Sequence, residues 1–425
     1  MDLAAARRRA LLALTRDDAR PARLDWRCKG LPAAAEGLTG AEIGRLGLCL
    51  TDMMMPVALL REKALAHNIA AMQAFADGIG ARLAPHGKTS MSPELFAMQM
   101  DAGAWAMTAA TAHHVRVYRR LGARRIFLAN QLAARADLDW ILGELARDPE
   151  FDFYCLADSE EGVRLLRAAA EAARAPRPVQ LLVETGFAGG RAGVRDLGGA
   201  LAVARAAAAA APWLALRGVE TFEGVRQAGP DARAEASAMI ALAAATAEAI
   251  VREGLTGDGP ILLSAGGSAF LDLCAAQLPA EIASRPVAKI IRPGCYVTHD
   301  HGLYEELARG PALVPALEVW APVLSIPEPG FAIAGLGKRD VSFDAGLPRA
   351  IRVHRPGAGA QTAEGLSTVS LWDQHLGLAC SPGSLRVGDL VGFGISHPCA
   401  TFDRWRALFL ADANDRITGA VTTVF

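Results

Sequence analysis

The chain has 425 residues, of which 52% are hydrophobic and 21% charged, and its formal net charge at pH 7 is −1. A chain of this size can bury a large core and form two domains. Because it contains no long basic or acidic block, its composition does not support a nucleic-acid partner or binding to an anionic membrane surface. A small molecule is the expected ligand.

The N-terminal segment 1–18 predicts an amphipathic helix, since the apolar run after Arg7–Arg9 is too short for a secretory signal. The alanine-rich stretch 198–212 is interrupted by Arg205 and is too weakly apolar to span a membrane. The seven cysteines are scattered and form no CxxC pair, which is typical of reduced thiols. We therefore expect a cytoplasmic protein without a transmembrane segment.

Short strand-like runs alternate with helical segments between residues 81 and 300, and eight such runs close a parallel (β/α)8 barrel. Helical length and composition are clearest in Pro93–Ala102, which follows the capping residue Ser92, and in Ala133–Arg147. The eight predicted strands are Arg82–Pro85, Ala106–Thr111, Ile126–Gln131, Phe151–Asp158, Val179–Gly186, Leu216–Phe222, Ile261–Ser264 and Ile290–Tyr296.

After Tyr304 the pattern changes to β-rich runs separated by glycine and proline turns, which predicts a C-terminal all-β domain. These runs are Leu317–Ile326, Phe331–Ala334, Ala350–His354, Thr368–Trp372 and Val391–Ile395. The strand-like Pro56–Leu60 precedes the barrel and is expected to pair with this domain. The predicted division is an N-terminal arm over 1–60, a barrel over 61–304 and a β-domain over 305–425.

Lys88 is the main candidate for a catalytic residue. It follows the first predicted strand, and barrel active sites lie at the carboxyl ends of the strands. Free lysine has a pKa of roughly 10.4, so a nucleophilic amine requires partial desolvation or neighbouring cations. The alternative is an exposed surface lysine without a role.

The seventh predicted strand leads directly into a glycine-rich loop, Ser264-Ala265-Gly266-Gly267-Ser268, and then into a helical segment. Backbone N–H groups of such a loop can approach an anion, and the start of the helix adds partial positive charge. Tyr296 closes the neighbouring eighth strand. A cofactor with an aldehyde and a phosphate would span Lys88 and this loop, and pyridoxal 5′-phosphate (PLP) fits that description. The predicted cofactor contacts are Lys88, Ser264, Gly266, Gly267, Ser268 and Tyr296.

Over residues 52 to about 410 the chain resembles the alanine-racemase-like (fold type III) barrel family of PLP enzymes, in particular its branch of D-serine dehydratase and D-threonine aldolase. Two positions depart from the family pattern: Gly186 stands where an aspartate is usual, and Ala188 where a glycine is usual. The matching segments are Pro85–Thr89, Glu184–Val194, Gly218–Gly224, Ser264–Ser268, Arg292–Tyr296 and Ser396–Cys399.

The resemblance implies that Lys88 binds PLP covalently and that Arg191 faces the pyridine nitrogen. Because arginine is permanently protonated, it can donate a hydrogen bond without releasing its proton, and the ring nitrogen then stays neutral. A neutral ring stabilises an α-carbanion less, so a departing β-substituent needs help from another group. The alternative for Arg191 is a surface arginine in a loop.

His397 and Cys399 are two residues apart at a predicted strand end, which can direct both side chains to one side. Imidazole and thiolate suit Zn²⁺, although an isolated His-x-Cys pair also occurs with a purely structural role. The resemblance implies that the pair holds zinc, as in the dehydratase branch, whereas the aldolase branch carries His-x-Asp. Mn²⁺ is the alternative metal. His375 is a further candidate for a catalytic or positioning residue, with a structural role equally compatible.

The resulting hypothesis is a dehydratase of D-3-hydroxy amino acids such as D-serine, D-threonine or 3-hydroxyaspartate. Lys88 would remove the α-proton, the metal would ligate the β-hydroxyl, and the products would be a 2-oxo acid and ammonia. The alternatives are an aldolase that releases glycine and an aldehyde, and a non-catalytic PLP-binding protein. Racemisation requires a second base on the opposite face of the substrate, which the resemblance implies is a tyrosine of the C-terminal domain. It is disfavoured because the tyrosines lie only at positions 118, 154, 296 and 304. The resemblance also implies a homodimer.

Overall fold

A computed structural model describes residues 22–225, 231–355, 357 and 359–425, so the helix predicted over 1–18 lies outside the described residues. The first described elements are the short helix α1 (Gly40–Ile43) and strand β1 (Val57–Arg61). Helix α1 begins with a capping box, in which the Glu42 carboxylate accepts a hydrogen bond from the Thr39 backbone N–H at 2.8 Å.

The next segment alternates helices and strands and forms the barrel. Its elements are α2 (Glu62–Gly78), β2 (Ala81–Leu83), α3 (Pro93–Asp101), β3 (Met107–Ala109), α4 (Ala112–Arg120), β4 (Arg125–Gln131), α5 (Arg135–Arg147), β5 (Asp152–Ala157), α6 (Glu160–Ala172), β6 (Val179–Thr185), α7 (Leu197–Ala209), β7 (Leu214–Thr221), α8 (Ala232–Arg252), β8 (Ile261–Ser264), α9 (Leu271–Gln277), β9 (Glu281–Ile282), β10 (Arg285–Ile291) and α10 (Leu303–Leu307).

Eight of these strands form a parallel sheet in the order β2-β10-β8-β7-β6-β5-β4-β3, while the short β9 pairs antiparallel with β10. The two ends of this order meet, because the Trp105 N–H donates to the Leu83 carbonyl at 2.7 Å and the Thr108 N–H to the Pro85 carbonyl at 2.8 Å. Each of the eight predicted barrel strands overlaps an observed strand. The eighth, predicted as Ile290–Tyr296, is observed at Arg285–Ile291, and Tyr296 lies in the 3-10 turn Cys295–Val297 rather than at the strand end.

The barrel strands are apolar on both faces, as parallel strands between two packed layers must be. Phe127, Leu182 and Leu262 belong to an inner cluster of buried side chains. The alternate residues, such as Leu181 and Val183, belong to the cluster that packs against the surrounding helices. Because strand side chains alternate between faces, neighbouring apolar residues fill both layers.

The C-terminal region is all-β apart from one helical turn, which confirms the predicted domain type. Its elements are β11 (Leu317–Glu328), β12 (Phe331–Ala334), β13 (Arg349–Arg355), β14 (Gly359–Thr362), β15 (Ser367–Leu371), β16 (Leu376–Ala379), β17 (Leu390–Gly394), α11 (Cys399–Phe402), β18 (Ala407–Ala411) and β19 (Ile417–Thr422). The main sheet runs β14-β13-β17-β11-β1-β18-β19. Strand β1 therefore lies inside this sheet, antiparallel to β11 and parallel to β18.

Helix α8 is, among the described residues, long and apolar enough to cross a membrane, with a mean hydropathy of 1.5 over its apolar window. One face of α8 is buried in the barrel, where Ala236, Ile240 and Ala243 have no exposed surface. Burial against the sheet accounts for this apolar face, as it does for other outer helices of a barrel.

Arg61, at the end of β1, joins the carboxylate of Glu318 in β11 to that of Asp415 in the turn between β18 and β19. It lies 2.5 Å from an Asp415 oxygen and forms a second ion pair with Glu318, and all three side chains are at most 13% exposed. Arg352 also pairs with Asp415, at 2.8 Å. The first strand of the described chain is thus held to the C-terminal sheet by buried charge as well as by backbone pairing.

We expect Arg61→Ala to lower the free energy of unfolding by about 2 kcal/mol, because the buried Glu318 and Asp415 carboxylates lose their nearer cation and retain Arg352. Thermal and denaturant unfolding followed by circular dichroism measure the change. The matched control is Arg135→Ala, whose side chain is 94% exposed and lies 3.6 Å from Asp139; its removal should cost less than about 1 kcal/mol. Equal losses in both variants would contradict a structural role for the buried charge.

Candidate active site

A cavity of 190 Å³ opens at the carboxyl ends of the barrel strands. Lys88 lines it from the 3-10 turn Gly87–Thr89, which follows β2. The other lining residues are His86, Ala110, Ala129, Asn130, Glu184, Arg191, Ala192, Glu220, Phe222 and Arg292. A larger cleft of 710 Å³ lies at the opposite end of the barrel, beside Trp105 and Asp152, and is lined by none of the predicted site residues. The smaller cavity is therefore the candidate active site.

The lysine turn is closely packed against helix α4. A Cβ atom at Gly87 would lie 2.5 Å from the Tyr118 hydroxyl, so only glycine fits there. Burial, together with the nearby charges of Lys88 and Arg292, lowers the pKa of His86 well below its usual value. The neighbour of Lys88 is therefore a neutral imidazole at pH 7, and its buried Nδ1 has no hydrogen-bond partner among the described residues.

Arg292 is the buried cation of the cavity, and the sequence analysis did not assign it a role. Its guanidinium donates to the Glu220 carboxylate and to the Ser264 hydroxyl. Ser264, which we predicted to contact phosphate, is thus engaged by Arg292 and by the Ile290 carbonyl at 3.3 Å. Burial raises the pKa of Glu220 against the attraction of Arg292.

Glu184 is a second buried carboxyl in the same cavity. Burial, reinforced by the Glu220 charge, raises its pKa to about 8, although Gln131 donates a hydrogen bond to it. With one buried arginine beside two carboxyl groups, Glu184 is predominantly protonated at pH 7 and is able to donate a hydrogen bond. Strongly shifted pKa values of this kind are frequent at functional sites.

The backbone N–H groups of the glycine-rich loop after β8 bind the carboxylate of a side chain, so the predicted contact with phosphate stays a prediction. The Gly266 and Gly267 N–H groups donate to the two carboxylate oxygens of Glu223, at 3.0 and 2.8 Å. Gly266 has a φ of +97°, and a Cβ atom at Gly267 would lie 2.7 Å from the Phe222 ring. The loop thus presents converging donors that fit a phosphate, provided that Glu223 withdraws from them.

Ser268 and Tyr296, the other two predicted contacts of the cofactor, lie together beside the loop. Both line a small neighbouring cavity and neither lines the Lys88 cavity. The Tyr296 hydroxyl accepts a hydrogen bond from Gln99 at 2.9 Å, and burial raises its pKa. In this arrangement, Tyr296 connects the end of the barrel to α3.

Arg191 lines the cavity together with Lys88, and its guanidinium lies 4.8 Å from the centre of the Phe222 ring. The structure explains the unusual glycine in the preceding loop, because a Cβ atom at Gly186 would lie 2.5 Å from the Ala192 carbonyl oxygen. An aspartate at 186 does not fit this loop. Instead Asp158 binds the loop, accepting a hydrogen bond from the Gly193 N–H at 2.9 Å.

The predicted metal ligands His397 and Cys399 come together with a third residue, Cys295. One ligand atom from each of the three lies within 4.8 Å of the others. The two sulfur atoms are 3.5 Å apart, and the Thr89 hydroxyl, next to Lys88 in the chain, lies 3.3 Å from Cys399 Sγ. The cluster therefore lies directly beside the lysine turn, and its donor set fits a zinc ion.

The charges of the cluster favour a deprotonated sulfur. The Cys295 thiol, together with His397, lowers the pKa of Cys399 well below its usual value despite burial. Burial lowers the pKa of His397, but the Cys399 thiolate and Asp344 outweigh it and raise the pKa to about 9. Asp344 lies 2.7 Å from His397 Nδ1, which leaves Nε2 as the available ligand atom. Sequence reasoning missed Cys295 and Asp344.

Within the described part of the chain, His375 belongs neither to the lining of the Lys88 cavity nor to the thiol–imidazole cluster. It is exposed in the turn between β15 and β16, where its carbonyl accepts a hydrogen bond from the Trp372 N–H at 2.8 Å. It is neither among the residues that line the Lys88 cavity nor among the three potential metal ligands. Its catalytic role stays a prediction.

The fold and the site define a two-domain barrel protein with an amine, an anion-binding loop and a thiol–imidazole cluster at one mouth. The chain belongs to the family described as "Alanine racemase, N-terminal domain", whose model matches residues 60–299. A second model, described as "Putative serine dehydratase domain", matches residues 316–411.

The chain is 26% identical over 341 residues to D-threonine aldolase of Arthrobacter sp., covering 79% of this chain and 83% of the relative. Among solved structures, D-threonine aldolase from Filomicrobium marinum aligns with a TM-score of 0.75 and 22% identity, over 89% of this chain and 97% of the other. D-threo-3-hydroxyaspartate dehydratase from Delftia sp. HT23 aligns with a TM-score of 0.69 and 22% identity, over 88% and 99%. A cysteine-to-alanine mutant of D-threo-3-hydroxyaspartate dehydratase is described as metal-free and aligns with a TM-score of 0.70. These structural similarities support the fold, and the names describe lyases of two kinds.

We expect Glu223→Ala to bind PLP about tenfold more tightly, because the Gly266 and Gly267 N–H groups then no longer release a carboxylate before they accept a phosphate. Titration of the metal-depleted protein with PLP, followed by absorbance, measures the dissociation constant. Glu248→Ala, on the outer helix α8, is the control. Unchanged or weaker binding by Glu223→Ala would show that the carboxylate does not compete.

Glu184 predicts a pH dependence of stability. The pKa of this carboxyl is higher in the folded chain than in the unfolded chain, so the unfolded chain releases the proton at lower pH. The free energy of unfolding therefore decreases as the pH rises from about 5 to about 8. Over this range the slope is at most about 1.4 kcal/mol per pH unit. The free energy of unfolding, measured by thermal unfolding from pH 5 to 8, should therefore fall less steeply with pH in Glu184→Gln than in the native protein. The exposed Glu160→Gln serves as control, and identical slopes in all three proteins would refute the assignment.

Proposed function

We propose that the protein is a PLP- and metal-dependent dehydratase of D-3-hydroxy amino acids that releases a 2-oxo acid and ammonia. The observation that carries the proposal is the contact between the Thr89 hydroxyl and Cys399 Sγ at 3.3 Å. It supports the proposal because the thiol–imidazole cluster then lies beside Thr89, the residue after Lys88. A substrate attached at the lysine site would therefore have its β-substituent near the cluster.

PLP bound at Lys88 would supply an electron-withdrawing ring that makes the α-proton of the substrate removable. The Lys88 amine is the proposed base for this proton once substrate has displaced it from the cofactor. The lowered pKa of His86 makes its imidazole a weak base, and the carboxyl of Glu184 already carries its proton, so neither competes well for the α-proton. The phosphate group would bind the Gly266 and Gly267 N–H groups in place of Glu223.

Arg191 is the proposed partner of the pyridine nitrogen. Arg292 is a second arginine in the same cavity, and it is held by Glu220 and Ser264. Either guanidinium stays protonated and can only donate hydrogen bonds. The ring nitrogen would therefore stay neutral, so that elimination depends on activation of the leaving group.

His397 and Cys399 are the proposed metal ligands. A metal held there would act as a Lewis acid toward the β-hydroxyl of the substrate and make it a better leaving group. The dehydratase proposal also includes a homodimer and a cytoplasmic location, the latter consistent with cysteines that are all unpaired in the described chain.

The second candidate function is an aldolase that cleaves the Cα–Cβ bond and releases glycine and an aldehyde. It is favoured by the name of the Arthrobacter relative, D-threonine aldolase. The cysteine at position 399 favours the dehydratase, because the resemblance implies a His-x-Cys pair for the dehydratase branch and a His-x-Asp pair for the aldolase branch. A non-catalytic PLP-binding protein would have no use for the cluster beside Lys88.

A product assay distinguishes these functions. With D-serine, D-threonine or 3-hydroxyaspartate and added Zn²⁺, we expect ammonia and the corresponding 2-oxo acid. Lys88→Ala should lower the rate by about 10²–10⁴-fold, because it removes the general base. If glycine and an aldehyde are the products, the protein is an aldolase and the dehydratase proposal is wrong. Absence of any product, with PLP bound, would support the non-catalytic alternative.

A further inference from the structure

Cys295 is the one member of the thiol–imidazole cluster that comes from the barrel rather than from the C-terminal region. It begins a 3-10 turn, Cys295–Val297, directly after β10, and it is buried. His397 and Cys399 follow β17 in the other sheet. Closing the barrel against the β-domain brings the three side chains together.

We propose that Cys295 is a third protein ligand of the metal, so that the centre consists of two thiolates and one imidazole and selects zinc. This inference rests on the proposed metal at His397 and Cys399. The alternative for Cys295 is a buried thiol that only packs in the core, as free cysteines commonly do.

The sulfur separation supports this proposal. Two thiolates on a tetrahedral zinc ion, each at about 2.3 Å from the metal, are about 3.8 Å apart. The observed separation of Cys295 Sγ and Cys399 Sγ is 3.5 Å, so a small displacement of either side chain makes room for the ion. The pair is not a disulfide, since an S–S bond is about 2.0 Å long.

The imidazole is oriented for the same position. Because Asp344 lies 2.7 Å from His397 Nδ1, it holds the ring and leaves Nε2 as the ring nitrogen that can bind a metal. A carboxylate behind a ligating histidine is the usual arrangement at zinc sites. Three protein ligands fill three corners of a tetrahedron and leave one position for an oxygen of the substrate or for water.

The donor set also determines which metal is expected. Two thiolates favour zinc over manganese, whose preferred ligands are carboxylate, carbonyl and water oxygens. Because the single open position takes one atom, the substrate would present only one oxygen to the ion. If His397 and Cys399 were the two protein ligands, a tetrahedral ion would keep two open positions and could bind two oxygen atoms.

X-ray absorption of the zinc-loaded full-length protein tests the ligand set without any substitution. We expect two sulfur scatterers at about 2.3 Å and nitrogen or oxygen scatterers at about 2.0–2.1 Å. A single sulfur scatterer would overturn the proposal while leaving the site of His397 and Cys399 intact. No bound zinc at all would overturn the metal-dependent function, and this inference with it.

Cobalt substitution provides the matched comparison of variants. Metal-depleted native protein, Cys295→Ser, Cys399→Ser and the control Cys380→Ser are titrated with Co²⁺ under reducing conditions, and the thiolate-to-cobalt charge-transfer absorbance is recorded. Cys380 is a partly buried cysteine of the β-domain outside the cluster. Circular dichroism establishes that each variant is folded.

For Cys295→Ser we expect about half the charge-transfer absorbance of the native protein and at least tenfold weaker metal binding, with Cys380→Ser unchanged. The reason is that one of two sulfur–metal bonds is lost. If Cys295→Ser matches the native protein while Cys399→Ser loses the band, Cys295 is not a ligand, and the proposed function stands without it.

Discussion

The position of the turn Gly87–Thr89 is the constraint on which the candidate site depends. Gly87 packs against the Tyr118 hydroxyl, where no side chain fits, and Thr89 touches Cys399 from the β-domain side. Lys88 lies between these two contacts and lines the cavity. The turn therefore fixes the amine relative to both helix α4 of the barrel and the thiol–imidazole cluster, and a shift of the β-domain would separate the two candidate centres.

Charged groups lie on two sides of the turn Gly87–Thr89, one toward the barrel and one toward the β-domain. Inside the barrel, Arg292 is paired with Glu220, and the remaining carboxyl, Glu184, keeps its proton because a second buried anion would be costly. Toward the β-domain, the Cys399 thiolate is stabilised by Cys295 and His397. The lysine stands between an arginine–carboxyl network and an anionic sulfur. Such a division suits a site in which proton removal and leaving-group activation take place on different sides.

Much of the fold was predictable because its signals are local. Alternating apolar runs and helical segments located all eight barrel strands, and the change of pattern after Tyr304 located the β-rich region. Strands β18 and β19 were not predicted, although both are largely buried. Strand β18 pairs with β1, which is more than 340 residues away in the chain, and β19 pairs with β18. Their place in the sheet depends on that pairing rather than on periodicity.

The site was predictable where a motif carries its own chemistry and not where distant residues meet. The amino-acid sequence alone determined the amine at Lys88, the anion-binding character of Gly266 and Gly267, and the His397 and Cys399 pair, because spacing within a turn or strand end positions these groups locally. Tertiary structure alone decided that Glu223 occupies the glycine loop and that Cys295 meets Cys399 across 104 residues of chain. Such meetings require the barrel to close and the β-domain to dock, and no local pattern in the chain encodes the distance between two segments that come together only in the folded state.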